Sequence, residues 1–186
     1  MKFSDLFEDV PIVAAVKSEY ELNECLSCDS NVVFLLFGDI CNISEYVSKI
    51  KSAGKKAIVH IDLIEGLAPR EVGVDYIKDR TCADGIISTK AQLVRYAKAK
   101  GLIAIRRVFL LDSIALDTVL KKASPADADA YEVLPGVMPK IISLVASKCE
   151  LPIIAGGLIR DKEDVVNALS AGAVAVSSTN SKVWFM

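Results

Sequence analysis

The chain has 186 residues, with 22 lysines and arginines against 24 aspartates and glutamates, and its formal net charge is -2. This length suits one domain with a sizeable buried core, so a single domain over residues 1–186 is predicted. The small negative charge argues against a protein that wraps nucleic acid by bulk electrostatic attraction.

Residues 1–10 contain three acidic side chains and lack the basic start and long apolar stretch of a secretory signal, so a cytoplasmic location is expected. The odd number of cysteines, five, fits a reducing compartment better than a disulfide framework. Cys25 and Cys28 form a C-x-x-C pair, but the chain has one histidine and no second pair of this kind. Neither a metal nor a cofactor is therefore predicted.

Eight short apolar runs recur along the chain and predict β-strands. They occupy residues 12–16, 32–37, 57–61, 86–87, 103–105, 131–134, 152–155 and 174–176. The longest apolar run, residues 32–37, is far below the ~20 residues of a membrane-spanning helix, so no membrane association is expected. Most of the segments between the runs have the pattern of short amphipathic helices, for example residues 44–53 and 91–100.

This alternation of apolar strands and helices indicates a parallel sheet covered on both faces, and eight units favour a closed (β/α)8 barrel of the TIM type over an open doubly wound sheet. Such barrels usually have ~200 residues or more, so one or two helices are predicted to be short or missing. The predicted places are residues 65–79, which contain two glycines and a proline, and the segment after the eighth strand. Asp161 and Asp164 predict the start of the seventh helix.

A phosphate site is predicted where the last two strands end. Strand seven runs into Gly156 and Gly157, and strand eight ends in Ser177, Ser178 and Thr179. Residues without a Cβ let backbone N–H groups approach a phosphate oxygen closely, and the loops after strands seven and eight of such barrels commonly bind phosphate. Each motif alone also fits a tight turn or an ordinary strand end. Their position in the last two of eight units favours the ligand site.

Charged side chains at other strand ends are candidate contacts to the rest of a ligand. His60 and Asp62 share one face if strand three stays regular. Strand five ends in Arg106 and Arg107, of which one must face inward, and Glu132 on strand six offers an ionic partner. The alternatives are a packed core histidine and a structural ion pair. Which arginine faces inward stays open.

Lysines at two further strand ends, Lys17 and Lys90, are weaker candidates because exposed lysines are usually solvated surface. No P-loop, dinucleotide fingerprint or nucleophile elbow is present. His60 and Asp62 do not form a catalytic relay merely by sharing a face. The sequence therefore indicates binding more clearly than catalysis, and no catalytic residue is assigned.

One stretch of this acidic chain is basic. Residues 85–111 contain no acidic side chain, and Lys90, Arg95, Lys98 and Lys100 lie in that window together with the two arginines of strand five. These four residues are the candidate RNA contacts. Tyr96 lies among them and is a candidate for base stacking, although a helical tyrosine is more often part of the core.

Six segments of the chain resemble, in order, motifs of the glycerol-3-phosphate-responsive antiterminator family, which regulates bacterial glycerol uptake operons. They are residues 60–66, 85–90, 105–113, 132–140, 152–159 and 171–179. The resemblance extends from about residue 11 to residue 184. It implies a barrel-like protein that senses glycerol 3-phosphate as an effector and, when loaded, acts on leader mRNA so that transcription passes a terminator.

Under that resemblance the ligand phosphate is expected at the glycines and serines, and its hydroxyls at groups such as Asp62, Arg106 or Glu132. Two alternatives remain. One is a barrel enzyme, of isomerase or aldolase type, acting on a small phosphorylated substrate. The other is a sensor that regulates through another protein. Oligomeric state, including a homo-oligomer, stays open.

Overall fold

A computed structural model describes residues 3–186, which form a closed barrel of eight parallel strands in the order of the sequence, each followed by a helix. This confirms the predicted (β/α)8 fold. The strands are β1 (Ile12–Val16), β2 (Val32–Leu35), β3 (Lys56–His60), β4 (Gly85–Ser88), β5 (Ile103–Phe109), β6 (Ala130–Leu134), β7 (Ile153–Gly156) and β8 (Ala175–Ser178). Met1 and Lys2, the start of the segment considered for a secretory signal, lie outside the described residues.

The helices form the outer ring. They are α1 (Glu19–Cys25), α2 (Ile43–Ser52), α3 (Glu71–Arg80), α4 (Ala91–Ala99), α5 (Ser113–Lys122), α6 (Pro139–Lys148), α7 (Lys162–Ser170) and α8 (Ser181–Trp184). Asp161 caps α7 as predicted, because its side chain accepts a hydrogen bond from the Asp164 amide at 3.0 Å. None of the described helices is long and apolar enough to cross a membrane.

The short helix after the last strand is confirmed, since α8 has four residues. The short helix predicted within residues 65–79 is wrong. There α3 is ten residues long and begins at Glu71, after the proline of this segment. Gly73 lies inside the helix, where glycine costs about 1 kcal/mol, but burial of Val74 and Ile77 against the barrel offsets that cost. The second shortened helix is α1, with seven residues.

Alternate side chains of each strand point into the barrel. The interior is a small apolar cluster that includes Phe34, Ile58, Ile87, Ile105 and Ile154. The larger core lies between the sheet and the helices. An N-terminal 3-10 turn, Phe3–Phe7, packs onto the interior cluster beside the starts of the strands, so the barrel is closed at that end.

Strand β5 is longer than predicted, and this decides the direction of its arginines. Its register with β6 continues through Val108 and Phe109, which lie opposite Val133 and Leu134. Because Ile105 points inward, strand alternation directs Arg107 inward and Arg106 outward.

Candidate functional site

A cavity of about 530 Å³ opens at the carboxyl ends of the strands. We call it the mouth cavity. It is lined by the ends of β1, β2 and β6, by Arg107 of β5, and by residues 157–160 and 177–180. Ligand sites of (β/α)8 proteins lie at this face, because the loops after the strands converge there. The predicted phosphate motifs are therefore side by side in space.

Two glycines shape the wall that β7 contributes. Gly156 faces the interior between two polar side chains, and a Cβ built on it would lie 2.6 Å from Oε1 of Glu132 and 2.7 Å from Oγ of Ser177. No other residue fits there without displacing one of them. Gly157 has φ +76°, a left-handed conformation that glycine adopts without steric cost.

The next residue, Leu158, also has a left-handed conformation, with φ 65°, and its side chain is exposed. For a leucine this conformation costs about 1–2 kcal/mol. Strain of this kind clusters at ligand sites, where surrounding structure holds it in place. No described residue accepts a hydrogen bond from the amide of Leu158 or of Thr179. Two backbone donors in the loops of β7 and β8 are thus free for an anion.

The hydroxyl groups of Ser177 and Ser178 bind other groups of the protein, whereas the sequence predicted that they bind the ligand phosphate. Ser177 donates its hydroxyl hydrogen to Oε1 of Glu132 at 2.5 Å, and Ser178 donates to the carbonyl of Ile159 at 2.8 Å. Both side chains are buried. Thr179 is exposed and makes no hydrogen bond to the described residues. The free hydroxyl at the end of β8 is therefore that of Thr179, while the serines hold the wall together.

Arg107 is the arginine that enters the barrel. It donates from Nε to Oε2 of Glu132, whose side chain is completely buried, while Arg107 itself keeps 12% of its surface exposed at the cavity. Both carboxylate oxygens of Glu132 are thus occupied, one by Arg107 and one by Ser177. A buried carboxylate needs such partners, because desolvation of an unpaired charge is costly. Arg106 lies on the outer side of the barrel, away from this cavity.

His60 ends β3 and is 2% exposed. Its Nδ1 has no hydrogen-bond partner among the described residues. Burial, followed by the positive charge of Arg107, lowers the pKa of His60 to about 4, although Asp62 and Glu132 act in the opposite direction. His60 is therefore neutral at pH 7, although it lies close to the charged groups of Arg107, Asp62 and Glu132.

The backbone at Asp62 is not that of a regular strand, in contrast to the prediction. The strand ends at His60, and Asp62 lies in a 3-10 turn, Ile61–Leu63, so strand alternation does not reach it. Its carboxylate accepts hydrogen bonds from the Ser88 hydroxyl at 2.7 Å and from the Thr89 amide and hydroxyl at 2.7 and 2.8 Å. Burial opposes ionisation, but these hydrogen bonds outweigh it and lower the pKa of Asp62.

Two further charged residues, Lys17 and Arg160, follow strands β1 and β7. Lys17 follows β1, is 55% exposed at its side chain, and lies 3.8 Å from Oε1 of Glu21, outside the cavity lining. Arg160 lines the cavity with an exposed side chain that forms no ion pair with any residue from 3 to 186. Sequence reasoning missed Arg160, although a basic residue three positions after a glycine pair in a βα loop was a usable signal.

The basic window of the sequence lies mainly on α4 and is largely neutralised. Arg95 pairs with Asp127, Lys98 with Asp129 and Lys100 with Asp75, each at 2.8 Å. Tyr96 is half-buried, and its hydroxyl donates to Asp75.

Lys90 differs from these three. It is exposed just before α4, and within the described chain it has no acidic partner. Of the four candidate RNA contacts, Lys90 is the one whose charge no described acidic residue compensates.

Among residues 3–186, no three or more histidine, cysteine, aspartate or glutamate side chains are grouped as metal ligands would be. Cys25 and Cys28 are both buried free thiols. Burial and the neighbouring Cys28 raise the pKa of Cys25 to about 12. A thiol with this pKa stays protonated at neutral pH, which disfavours both nucleophilic attack and metal binding by Cys25.

Comparison with known proteins gives one family and several close structural relatives. The family model described as "Glycerol-3-phosphate responsive antiterminator" matches residues 12–184. The uncharacterized protein YgcP of Escherichia coli K12 is 44% identical over 184 residues, which cover 99% of this chain and 96% of that protein.

Two crystal structures share the fold closely. The glycerol uptake operon antiterminator regulatory protein of Listeria monocytogenes is 30% identical with a TM-score of 0.90, covering 96% of each chain. A glycerol uptake operon antiterminator-related protein of Thermotoga maritima is 31% identical with a TM-score of 0.81, covering 94% of this chain and 98% of that one.

Proposed function

The chain belongs to the glycerol-3-phosphate responsive antiterminator family, and from this premise we propose that it is a cytoplasmic regulator of glycerol genes. In this proposal, glycerol 3-phosphate binds in the mouth cavity. The loaded protein binds the leader mRNA of glycerol uptake and metabolism genes, so that transcription passes a terminator. The observation that carries the proposal is the family match over residues 12–184, which includes every strand of the barrel.

The mouth cavity supports a phosphate at the ends of β7 and β8. Its lining residues supply donors that have no partner in the described part of the chain. These donors are the amides of Leu158 and Thr179, the hydroxyl of Thr179 and the guanidinium of Arg160. Charge-assisted hydrogen bonds from arginine and from backbone amides are those that phosphate binding uses most. Gly156 and Gly157 keep this wall free of side chains. The phosphate therefore lies closer to backbone groups than to the serine hydroxyls.

The deeper groups support recognition of a small polyol. Behind the cavity lining, Nδ1 of His60 is buried without a hydrogen-bond partner among the described residues, and Glu132 is hydrogen-bonded to Arg107, which lines the cavity. A neutral imidazole nitrogen accepts or donates a hydrogen bond to a hydroxyl without adding charge. A ligand with a phosphate at one end and hydroxyls at the other matches this division of the site.

The same arrangement supports binding without turnover. A general base needs a carboxylate or imidazole that is free and has a pKa near the working pH. Both oxygens of Glu132 are occupied, Asp62 accepts three hydrogen bonds, and the pKa of His60 is about 4. We therefore propose that the protein senses its ligand without converting it. The alternative is an enzyme that acts on a small phosphorylated substrate.

The test is binding of the operon's leader RNA at low salt, by gel shift or filter binding, with and without glycerol 3-phosphate. An increase in RNA affinity with glycerol 3-phosphate, but not with glycerol or inorganic phosphate alone, is expected. Identical RNA affinity in all four conditions would contradict the proposal. Calorimetry with glycerol 3-phosphate, run separately, shows whether the ligand step or the RNA step has failed.

The enzyme alternative has its own test. Triose and pentose phosphates are incubated with the protein, and the products are analysed by mass spectrometry and NMR. Turnover that disappears in Asp62→Ala would support the enzyme and count against a pure sensor. Unchanged substrates, together with measurable glycerol 3-phosphate binding, support the sensor.

A further inference from the structure

A second cavity, of about 370 Å³, lies on the outer flank of the barrel between α4 and α5. We call it the flank groove. Arg106 and Val108 of β5 and Tyr131 of β6 form its floor, and Val94 of α4 and Val119 of α5 lie on its two sides. Its volume is within the range of small-molecule sites. The function proposed above makes no use of it.

The floor of the flank groove holds a cation that no described acidic residue pairs with. The guanidinium of Arg106 makes no hydrogen bond or ion pair with any described residue, and its Nη1 is completely buried without a partner. Burial lowers the pKa of this guanidinium. Arg106 as a whole is half-buried, but a buried N–H group without a partner is costly, and native proteins usually satisfy such groups.

The nearby acids are already engaged. Asp127 in the groove wall pairs with Arg95 at 2.8 Å, and Asp62 is satisfied by Ser88 and Thr89. Glu132, opposite the next residue of β5, binds Arg107 on the other side of the sheet. The missing partner of Arg106 therefore has to come from outside the described chain.

The side chains that line the flank groove limit the chemical class of this partner. The side chains of Val94, Val108 and Val119 are apolar, so they suit a hydrocarbon body. The planar guanidinium fork suits a carboxylate, and a single unpaired positive charge balances a single negative one. A phosphate carries about 1.5 to 2 negative charges at pH 7, which would leave an excess beside Asp127. Burial raises the pKa of Tyr131, so its hydroxyl stays protonated as a further donor.

We propose that the flank groove is a binding site for a small organic monocarboxylate with an apolar body, anchored by Arg106. The site is separate from the mouth cavity, because Arg106 and Arg107 point to opposite sides of β5. The two sites are nevertheless back to back, since Arg106 lies opposite Tyr131 and Arg107 opposite Glu132 in the same register. The inference does not depend on the family's ligand.

The test is NMR titration of the full chain, uniformly labelled with 15N, using benzoate and hexanoate as probes. Benzamide and hexanamide are their neutral counterparts, and inorganic phosphate tests for an anion without an apolar body. At least one carboxylate is expected to shift the amides of α4, β5 and α5 that line the groove, with a dissociation constant on the order of 1 mM. The amides and phosphate are expected to bind this groove at least about tenfold more weakly.

Two variants test the flank groove, one by removing its charge and one by reducing its volume. Arg106→Gln removes the anchor, and Ala91→Phe narrows the groove from an exposed wall position without removing a core side chain. Each is expected to weaken carboxylate binding about tenfold or more while the rest of the spectrum stays unchanged. Arg80→Gln, an exposed substitution at the end of α3, is the matched control and is expected to bind as the parent chain does.

Several results would overturn the proposal. They are no groove shifts with either carboxylate, unchanged carboxylate affinity in a folded Arg106→Gln, and preferential binding of inorganic phosphate at the groove. If Arg106→Gln does not fold, unchanged affinity in Ala91→Phe has the same consequence. Shifts confined to the amides of residues 157–160 and 177–180 would assign the carboxylate to the mouth cavity and would also count against the flank groove.

Discussion

Arg107 on β5 and Glu132 on β6 lie opposite each other in the strand register and are joined by a hydrogen bond from Nε to Oε2 inside the barrel. Ser177 of β8 binds the second oxygen of the same carboxylate. One glutamate thus connects three strands at the level where the mouth cavity begins. The ion pair fixes the shape of the site and at the same time leaves few charges of the barrel free for catalysis.

Removal of Arg107 is expected to destabilise the fold strongly. Arg107→Met leaves the completely buried Glu132 carboxylate without its cation, at a cost of about 3–5 kcal/mol in the free energy of unfolding. Arg106→Met, one residue away on the outer face, removes a guanidinium that has no partner among the described residues, and it is expected to change the free energy of unfolding by less than about 1 kcal/mol. Urea unfolding measures both.

A double variant keeps this prediction testable if the single variant is unstable. Arg107→Met with Glu132→Gln removes both charges, and we expect it to recover part of the lost stability. Equal costs for Arg107→Met and Arg106→Met would show that the ion pair contributes little.

Gly157→Ala is expected to affect both stability and ligand binding. The left-handed φ of +76° costs an alanine about 1 kcal/mol, and the new Cβ would lie 3.1 Å from Cδ2 of Leu134 at the cavity wall. Gly101→Ala, at φ +81° and with open space around it, carries the same backbone cost far from the cavity. Calorimetry should show weaker glycerol 3-phosphate binding for Gly157→Ala alone. Equal weakening in both variants would assign the effect to general destabilisation.

Arg160→Gln is expected to lower the affinity for glycerol 3-phosphate by about 10- to 100-fold, because a charge-assisted hydrogen bond to the phosphate is lost. Since the side chain is exposed and forms no ion pair within residues 3–186, the free energy of unfolding should change by less than about 0.5 kcal/mol. Arg80→Gln, also exposed, serves as the control for loss of one positive charge. Unchanged affinity in Arg160→Gln would remove this residue from the phosphate site.

The lowered pKa of His60 predicts that the stability of the fold depends on pH in a specific way. Its pKa is about 4 in the folded chain and 6.5 without the fold, so between these values the unfolded chain binds more protons. The stability is complete above pH 6.5 and falls as the pH drops towards 4, by up to about 3 kcal/mol. Asp62 and Asp84, whose pKa values are lowered, contribute losses only at more acidic pH, below their ordinary values.

The measurement is the free energy of unfolding from pH 8 to pH 4 in the parent chain and in His60→Gln. The variant should have a lower stability at pH 8 but a much flatter profile between pH 6.5 and 4. Parallel profiles in the two proteins would mean that another group titrates in this range.

The lysines of the basic window are expected to contribute unequally to RNA binding. Lys90 has no acidic partner among the described residues, so Lys90→Gln should reduce the slope of log affinity against log salt by about 0.7 to 1. Lys100 pairs with Asp75 at 2.8 Å, and Lys100→Gln should change this slope less. Gel shifts with leader RNA at several salt concentrations measure the slope for each variant. An equal change in slope would indicate that the ion pair opens on RNA binding.

Much of the fold was predictable, because its signals are local. Apolar runs such as residues 12–16 are recognisable wherever a strand is buried on both faces, and eight of them alternating with amphipathic helices leave few topologies. The lengths of elements were less predictable. The strand β5 extends to Phe109 because β6 pairs with it, and α3 tolerates Gly73 because its apolar face is covered.

By itself, the sequence determined the barrel, the family resemblance and the meeting of Gly156-Gly157 with the end of β8, because strand order and polarity bring those loops to one face. Only the tertiary structure decided what each side chain does there. Arg107 faces inward and Arg106 outward because β5 stays regular, and the serine hydroxyls are engaged because Glu132 and the Ile159 carbonyl lie within reach. Hydrogen-bond partners come from distant parts of the chain, so no local pattern contains them.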